Sequence, residues 1–341
     1  MYASPASISA AAPSVSVVLS VHNDAPFLAE AIDSILAQGM QDFEFLIVDD
    51  GATDGSGAII DRYAAADPRI RAFHQPNRGL IFSLNRMIAE ARAPLIARMD
   101  GDDVALPDRF AAQMRFLDAH PDHGVLGTAV TGIDVRGRVR RDWTVAYPTD
   151  DAGFRAALPG GALICHPSVM MRRDLVLAAG GYRPAFRHSE DYDLWLRLSE
   201  RTRIASLPDR LLLYRGSPDQ VSRRHGLEQR YGAAVALAAH RHRAAGRADP
   251  TATLDRLPPI DTLDAVFDAP GTTRAIRAAL IEGSLYDPHA LAGPGRQIAL
   301  EYLRETSPAK RPSGLWRAVA RMARAGHPLA AVQLACAMLR R

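Results

Sequence analysis

Two aspartates separated by one glycine, Asp100-Gly101-Asp102, are the sharpest chemical feature of the sequence. On a tight turn after a strand they offer hard carboxylate oxygens to one region. Mg²⁺ or Mn²⁺ favours such donors and usually shares them with substrate phosphates and water. A diphosphate leaving group needs that neutralisation as its bond breaks. Asp and Gly are also ordinary turn residues, so the triplet alone equally describes a solvated acidic turn. Asp49-Asp50 is a second acidic pair. A carboxylate beyond a buried strand can accept a hydrogen bond from a nucleotide base or a ribose hydroxyl, and an Asp-Gly turn is the plainer reading of the same letters. Arg78, in Pro76-Asn77-Arg78-Gly79, carries a planar fork suited to a base edge or a phosphate, and equally reads as a surface charge. A third group lies far downstream, in His188-Ser189-Glu190-Asp191-Tyr192-Asp193-Leu194-Trp195. Displacement at a sugar carbon requires a carboxylate that takes the acceptor's proton, and an ordinary aspartate is ionised near neutral pH. Helix capping by Ser189, with acidic residues in a first turn favoured by the helix dipole, explains the same segment without chemistry.

The elements around these residues decide whether they can meet. Val15 to Val21 is a β-branched run, as is expected of a strand buried on both faces. Asp24 can cap a helix starting near Pro26, in which Phe27, Leu28, Ala31, Ile32, Ile35 and Leu36 follow helical spacing. Phe43 to Val48 is a second buried strand, and Gly51 to Gly57 turns into a helix around Ala58 to Ala66. A third strand spans Ile70 to His74, a third helix Leu80 to Ala91, and a fourth strand Pro94 to Met99. Pro107 then opens a helix running to about His120. This order predicts a parallel sheet with right-handed crossovers, in which ligands sit beyond the carboxyl ends of the strands. Asp49-Asp50 follows the second strand and Asp100 to Asp103 the fourth, so both acidic groups fall at that edge. After Gly127 the pattern is mixed. Strands and a hairpin are expected over Val125 to Val145, a helix over Glu190 to Ser199, and short strands over Ile204 to Leu207 and Leu211 to Tyr214. From about Gly226 the Ala- and Arg-rich chain reads as a helical appendage.

Composition excludes several classes. The net charge is +3, from 41 basic and 38 acidic residues, which gives no general case for nucleic-acid binding. Two cysteines, Cys165 and Cys336, form neither a disulfide framework nor a CxxC zinc pair, and suit a reducing cytoplasm with free thiols. Met1 to Pro13 lacks the basic start and apolar core of a signal peptide. No stretch reaches the roughly 20 apolar residues of a membrane span. The expectation is a cytoplasmic protein, soluble or at most attached to the inner face of the membrane. The turn after the first strand, Val21-His22-Asn23-Asp24-Ala25-Pro26, lacks the G-x-G-x-x-G fingerprint of dinucleotide oxidoreductases and the glycine-rich basic loop of sugar nucleotidylyltransferases.

Taken together, the segments resemble the family 2 glycosyltransferases. The matching pieces are Val15 to Asn23, Phe45 to Gly51, Asn77-Arg78-Gly79, Met99 to Asp103 and Pro107-Asp108-Arg109. They continue with His166-Pro167-Ser168-Val169, Gly180-Gly181-Tyr182 and Glu190 to Leu198. The resemblance covers about Val15 to Ser222 and implies a GT-A fold, a Rossmann-like mixed α/β sheet flanked by helices. The implied organisation is a tail over 1–14, a catalytic domain over 15–225 and a helical C-terminal region over 226–341. The catalytic domain divides into a nucleotide-binding half over 15–127 and an acceptor half over 128–225. The resemblance also implies roles. Ser20, His22 and Asn23 meet the nucleotide base, and Asp50 pairs with the uracil beside Arg78. Asp100 and Gly101 contact the ribose or diphosphate, Asp102 binds Mn²⁺ or Mg²⁺, and Asp191 is the general base. The implied reaction is inverting transfer from a UDP-sugar, or another nucleotide-sugar donor, to a glycan or lipid-linked glycan acceptor in cell-surface polysaccharide or glycolipid synthesis. A catalytically inactive, nucleotide-sugar-binding partner subunit is the alternative. One departure stands out: relatives often carry a histidine shortly after a Tyr-Arg pair, where Ser217 follows Tyr214-Arg215 here, with His225 a distant substitute.

Overall fold

The computed structural model of the chain describes residues 12–143, 145–158, 160, 163–216, 225–307 and 311–339. The chain divides into two compact units, one formed by 1–182 and 197–217, the other by 183–196 and 218–341.

The first unit is built on one sheet. Its parallel half comprises β1 (Val15–Val21), β2 (Phe43–Asp50), β3 (Ile70–Gln75) and β4 (Leu95–Met99), with β1 between β2 and β4. Every residue of β2 and β4 is buried, and all of β1 except half-buried Ser20, which is why these strands read as unbroken apolar runs. Helices α1 (Ala25–Leu36), α2 (Ser56–Ala66) and α3 (Leu80–Glu90) make the crossovers. Leu28, Ile32 and Ile35 of α1 join Val17, Leu19, Phe45 and Ile47 in the core. The acidic segments therefore emerge at the same edge of the sheet, from the carboxyl ends of β2 and β4 on either side of β1.

The rest of the sheet is mixed. Beyond β5 (Val104–Ala105), α4 (Arg109–Ala119) and β6 (His123–Ile133) come α5 (Asp151–Ala157), β7 (Met170–Arg172) and α6 (Arg173–Ala178). The helix α7 spans Glu190–Ser199, and β8 spans Arg203–Arg215. The strand order is β3-β2-β1-β4-β7-β6-β8-β5, with β7 antiparallel to both neighbours and β8 parallel to β6. The two short strands expected near 204–214 are one strand. Leu207 pairs with Thr128 and Arg210 with Ala129, so Pro208 and Asp209 bulge out of the ladder. Proline has no N–H to give the ladder, and the bulge lets the strand continue past it. The expected hairpin after β6 reduces to one antiparallel bridge between Ile133 and Val139.

The second unit is helical. It contains α8 (Gly226–Ala244), α9 (Leu263–Val266), α10 (Thr272–Ser284), α11 (Pro288–Ala292), α12 (Gly295–Glu305), α13 (Leu315–Arg324) and α14 (Pro328–Leu339). Its own core gathers Ile281, Leu291, Tyr302, Leu303, Leu315, Met322 and Leu334. Arg277 is buried here against Asp261, Glu301 and Glu305. The segment 183–196 belongs to this unit; within it Arg183 pairs with Asp249 at 2.8 Å and lies 3.8 Å from Asp193. The expected acceptor half is thus shared between the units, and Asp191 goes with the helices. Among the described residues no helix is long and apolar enough to cross a membrane.

Candidate active site

The loop after β1 and the loop after β2 are knitted together by side chains from both. Asp54 accepts from Ala25 N through Oδ2 at 2.9 Å, and from Ser56 N and Oγ through Oδ1 at 3.0 and 2.6 Å. Ser56 Oγ in turn accepts from Asp24 N at 3.1 Å. Asp54, not Asp24, therefore satisfies the first amide of α1. Asp24 occupies the N-cap position but makes no capping hydrogen bond; its Oδ2 accepts from His22 N at 3.1 Å. Asn23 takes a left-handed backbone (φ 65°) that asparagine tolerates, and its Oδ1 accepts from Thr53 N at 2.8 Å. His22 is exposed, with Nδ1 3.0 Å from the Asp50 carbonyl oxygen and Nε2 3.2 Å from Asn77 Nδ2.

Asp50 is buried, and its carboxylate binds protein. Oδ1 accepts from Arg78 N at 2.8 Å and Gln75 Nε2 at 2.7 Å, and Oδ2 accepts from Gly79 N at 2.8 Å. The side chain thereby fixes the 75–79 loop. Gly51 (φ 73°) lets that loop approach: a Cβ there would sit 2.6 Å from Asn77 N. The guanidinium of exposed Arg78 lies over the Phe82 ring, 3.4 Å from its centroid. Asp49 turns the other way, accepting from Ala52 N at 2.9 Å and pairing with His74 at 3.0 Å.

The acidic turn after β4 lies against Asp24. A Cβ on Gly101 would meet Asp24 Oδ2 at 2.8 Å, so only glycine leaves that carboxylate its place. Asp100 is held two-pronged by Arg98, at 2.5 and 2.6 Å, and Arg98 is itself buried. Asp103 is fully buried; Oδ1 accepts from Arg215 N at 2.8 Å, while Oδ2 has no hydrogen-bond partner. Arg215 also donates to the Asp102 carbonyl at 2.7 Å and to Glu30 at 2.6 Å. Among the described residues no cation forms an ion pair with Asp24, Asp102 or Asp103. The charge is therefore undercompensated. Burial, then Asp100 and Asp24, push the Asp102 carboxyl up to about 7. Burial, then Asp100 and Asp54, push Asp24 to about 6. Burial and the neighbouring Asp102 and Asp100 raise Asp103 as well.

Two groups among the described residues bring three ligand atoms within 4.8 Å of one another: Asp100, Asp102 and Asp103, and, in the second unit, His188, His225 and Glu228. The first fits a hard divalent cation: all donors are oxygens, Arg98 offsets only part of their charge, and one buried oxygen lacks a partner. In the second, the two imidazoles stack 4.1 Å apart at 14°. Their in-plane lone pairs run side by side and do not converge on one point, so the acidic turn is the better candidate. Asp191 is half-buried in the first turn of α7, and its Oδ1 lies 2.7 Å from Tyr192 N. Ser189, read as a cap, donates its hydroxyl to the Phe186 carbonyl at 3.3 Å. Ser217 lies outside the described residues, and His225 Nδ1 is engaged with Glu228 at 3.1 Å.

From the sequence, Asp24, Arg98 and Arg215 have no part in the site, and Asp103 belongs to the acidic group without a role of its own. An arginine inside an otherwise apolar buried strand, as Arg98 is, was a readable signal. Asp24 was not, since its meeting with Gly101 depends on tertiary structure. Ser20 sits near the carboxyl end of β1, as expected, facing partly to solvent.

The model for "Glycosyl transferase family 2" matches residues 16–178. The O-antigen biosynthesis glycosyltransferase WbnJ of Escherichia coli is 33% identical over 205 residues, covering 59% of this chain and 79% of that protein. Among solved structures, Staphylococcus aureus TarS 1–349 in complex with UDP-GlcNAc aligns with a TM-score of 0.59 at 15% identity, covering 94% of this chain and 90% of that one. The mannosyltransferase of Pyrobaculum calidifontis in complex with GDP-Man and Mn²⁺ aligns with a TM-score of 0.52 at 19% identity, over 94% and 86% of the two chains. The fold is GT-A, as the sequence predicts.

Proposed function

We propose a specific reaction for this chain, which belongs to glycosyl transferase family 2 and is a glycosyltransferase: inverting transfer of a sugar from a UDP-sugar to a hydroxyl acceptor in cell-surface polysaccharide or glycolipid synthesis. The observation that carries the reading is the undercompensated charge at the carboxyl edge of β4, where the carboxyls of Asp102 and Asp24 rise to about 7 and about 6. An enzyme that must bind a cation and a diphosphate benefits from carboxylates left short of protein partners, because the ligand then supplies the missing charge.

Asp102, with Asp100 and Asp103 beside it, would hold Mn²⁺ or Mg²⁺. When bound, the ion supplies positive charge to the diphosphate as the bond to the sugar weakens. Arg98 holds Asp100 in one orientation, so the carboxylate that meets the ribose or diphosphate has a fixed position. Gly101 allows Asp24 to pack beneath the turn. Ser20, His22 and Asn23 border the nucleotide base. Asp50 contributes by fixing the 75–79 loop and by placing Arg78, whose stacking on Phe82 leaves a flat cationic face for the uracil or a phosphate. Asp191 takes the acceptor's proton as its oxygen attacks the anomeric carbon, and the sugar–phosphate bond breaks on the opposite face. The configuration at that carbon therefore inverts. The likeness to an O-antigen enzyme supports a glycan acceptor, and the UDP-GlcNAc and GDP-Man carried by two structures of this fold support a nucleotide-sugar donor.

Incubating the full chain with Mn²⁺ and each of a set of UDP-sugars, with proton NMR of the anomeric signal, tests the reading. The expected result is UDP release with a product opposite in anomeric configuration to the donor. Retention of configuration, or no release with any donor, contradicts it.

A further inference from the structure

The last helix, α14, is apolar on both faces. Its inner face places Ala330, Ala331 and Leu334 in the core of the helical unit. Its outer face carries Leu329, Val332, Cys336 and Leu339, spaced at helical intervals along one side, with the first two and the last 80%, 60% and 71% exposed. The helix contains no charged residue between Pro328 and Leu339. A surface helix in water ordinarily turns charges outward, so an apolar outer stripe marks a contact face. Along the C-terminal sequence the charge has one sign. No Asp or Glu follows Glu305, whereas Lys310, Arg311, Arg317, Arg321, Arg324, Arg340 and Arg341 all do. Arg324 ends α13, just before the stripe, and Arg340-Arg341 follow it directly in sequence. On α13, Trp316 is 51% exposed beside exposed Arg317.

We propose that the outer face of α14 docks on an anionic membrane surface, with the stripe entering the headgroup boundary and the flanking arginines meeting lipid phosphates. Apolar side chains bordered by cations, with tryptophan nearby, are the composition that holds a helix in the bilayer interface. A second copy of the chain suits the face less well, because a symmetric interface would bring exposed cations such as Arg317 and Arg324 towards their own kind. The proposal is independent of the transfer reaction: it concerns where the chain sits, whichever donor it uses.

Vesicle co-sedimentation of the full chain tests it, with phosphatidylglycerol–phosphatidylcholine vesicles against phosphatidylcholine alone. The wild type is expected to bind the anionic vesicles and to release in high salt. The triple variant Leu329→Gln, Val332→Gln, Leu339→Gln is expected to bind about tenfold less or worse. The three residues are exposed, so an unchanged thermal unfolding midpoint shows that the variant is folded. Arg317→Gln with Arg324→Gln serves as a second variant that leaves the stripe intact and is expected to reduce anionic binding alone. Failure of the wild type to bind anionic vesicles, or full binding by the folded triple variant, overturns the proposal. So does sedimentation of the vesicle-free wild type as a dimer that the triple variant abolishes, since the face then belongs to a second copy.

Discussion

Replacing Asp102 with asparagine should stabilise the metal-free protein while removing its response to metal. The carboxyl of Asp102 is moved from its ordinary 3.8 to about 7, first by burial and then by Asp100 and Asp24. A displacement of that size corresponds to roughly 4 kcal/mol against the ionised form. Asp24 and Asp100 share the repulsion, and the site relaxes when one member changes, so about 2 kcal/mol is the amount expected to be recovered. The sign follows from proton binding. Between its unfolded value and about 7 the folded state binds the proton more tightly, so this group's contribution to stability is present at low pH and lost as pH rises through about 7. Asparagine imitates the protonated form at every pH. In EDTA at pH 8, Asp102→Asn should therefore unfold about 5 °C above the wild type. At pH 5 the gap should shrink to about a third of its size at pH 8, because the folded carboxyl is protonated there while the unfolded one is still ionised. Adding Mn²⁺ at pH 8 should raise the wild type and leave the variant unmoved. Differential scanning fluorimetry reads all three comparisons. A variant no more stable than the wild type at pH 8, or equally shifted at both pH values, would refute the account of an undercompensated acidic site.

Asp191→Asn should bind UDP with Mn²⁺ as the wild type does, yet transfer sugar about 10²–10⁴-fold more slowly, which calorimetry beside a turnover assay can show. Asp50→Asn turns an acceptor of three N–H groups into a partial donor facing them, so a loss of about 1–3 kcal/mol and a raised donor KM are expected from urea unfolding and kinetics. Gly101→Ala should displace Asp24 and weaken Mn²⁺ binding without unfolding the sheet; isothermal titration of Mn²⁺ measures this.

The parallel half of the fold was legible because its strands are buried on both faces and its helices carry apolar faces at helical spacing. The acidic residues at the ends of β2 and β4 followed from that order alone. What Asp50 does was not legible: the same carboxylate suits a base or the 75–79 amides, and only tertiary structure brings those amides to it. Asp24 has the letters of a helix cap, but Asp54, distant in sequence, fills that role and leaves Asp24 against Gly101. Pro208 looked like the end of a strand because proline interrupts a ladder, and the bulge that absorbs it shows only in the pairing of β8 with β6. The membership of 183–196 in the helical unit goes with pairings such as Arg183 with Asp249, which no periodicity announces. In the Ala- and Arg-rich helices the pattern specifies helix but not which face packs inward.

Calorimetric titration of UDP into the metal-free chain, with and without Mn²⁺, probes the site most directly. The account predicts heat of binding only when Mn²⁺ is present, and its loss in Asp102→Ala. UDP binding of equal strength in EDTA, or undiminished Mn²⁺-dependent binding in that variant, would contradict it.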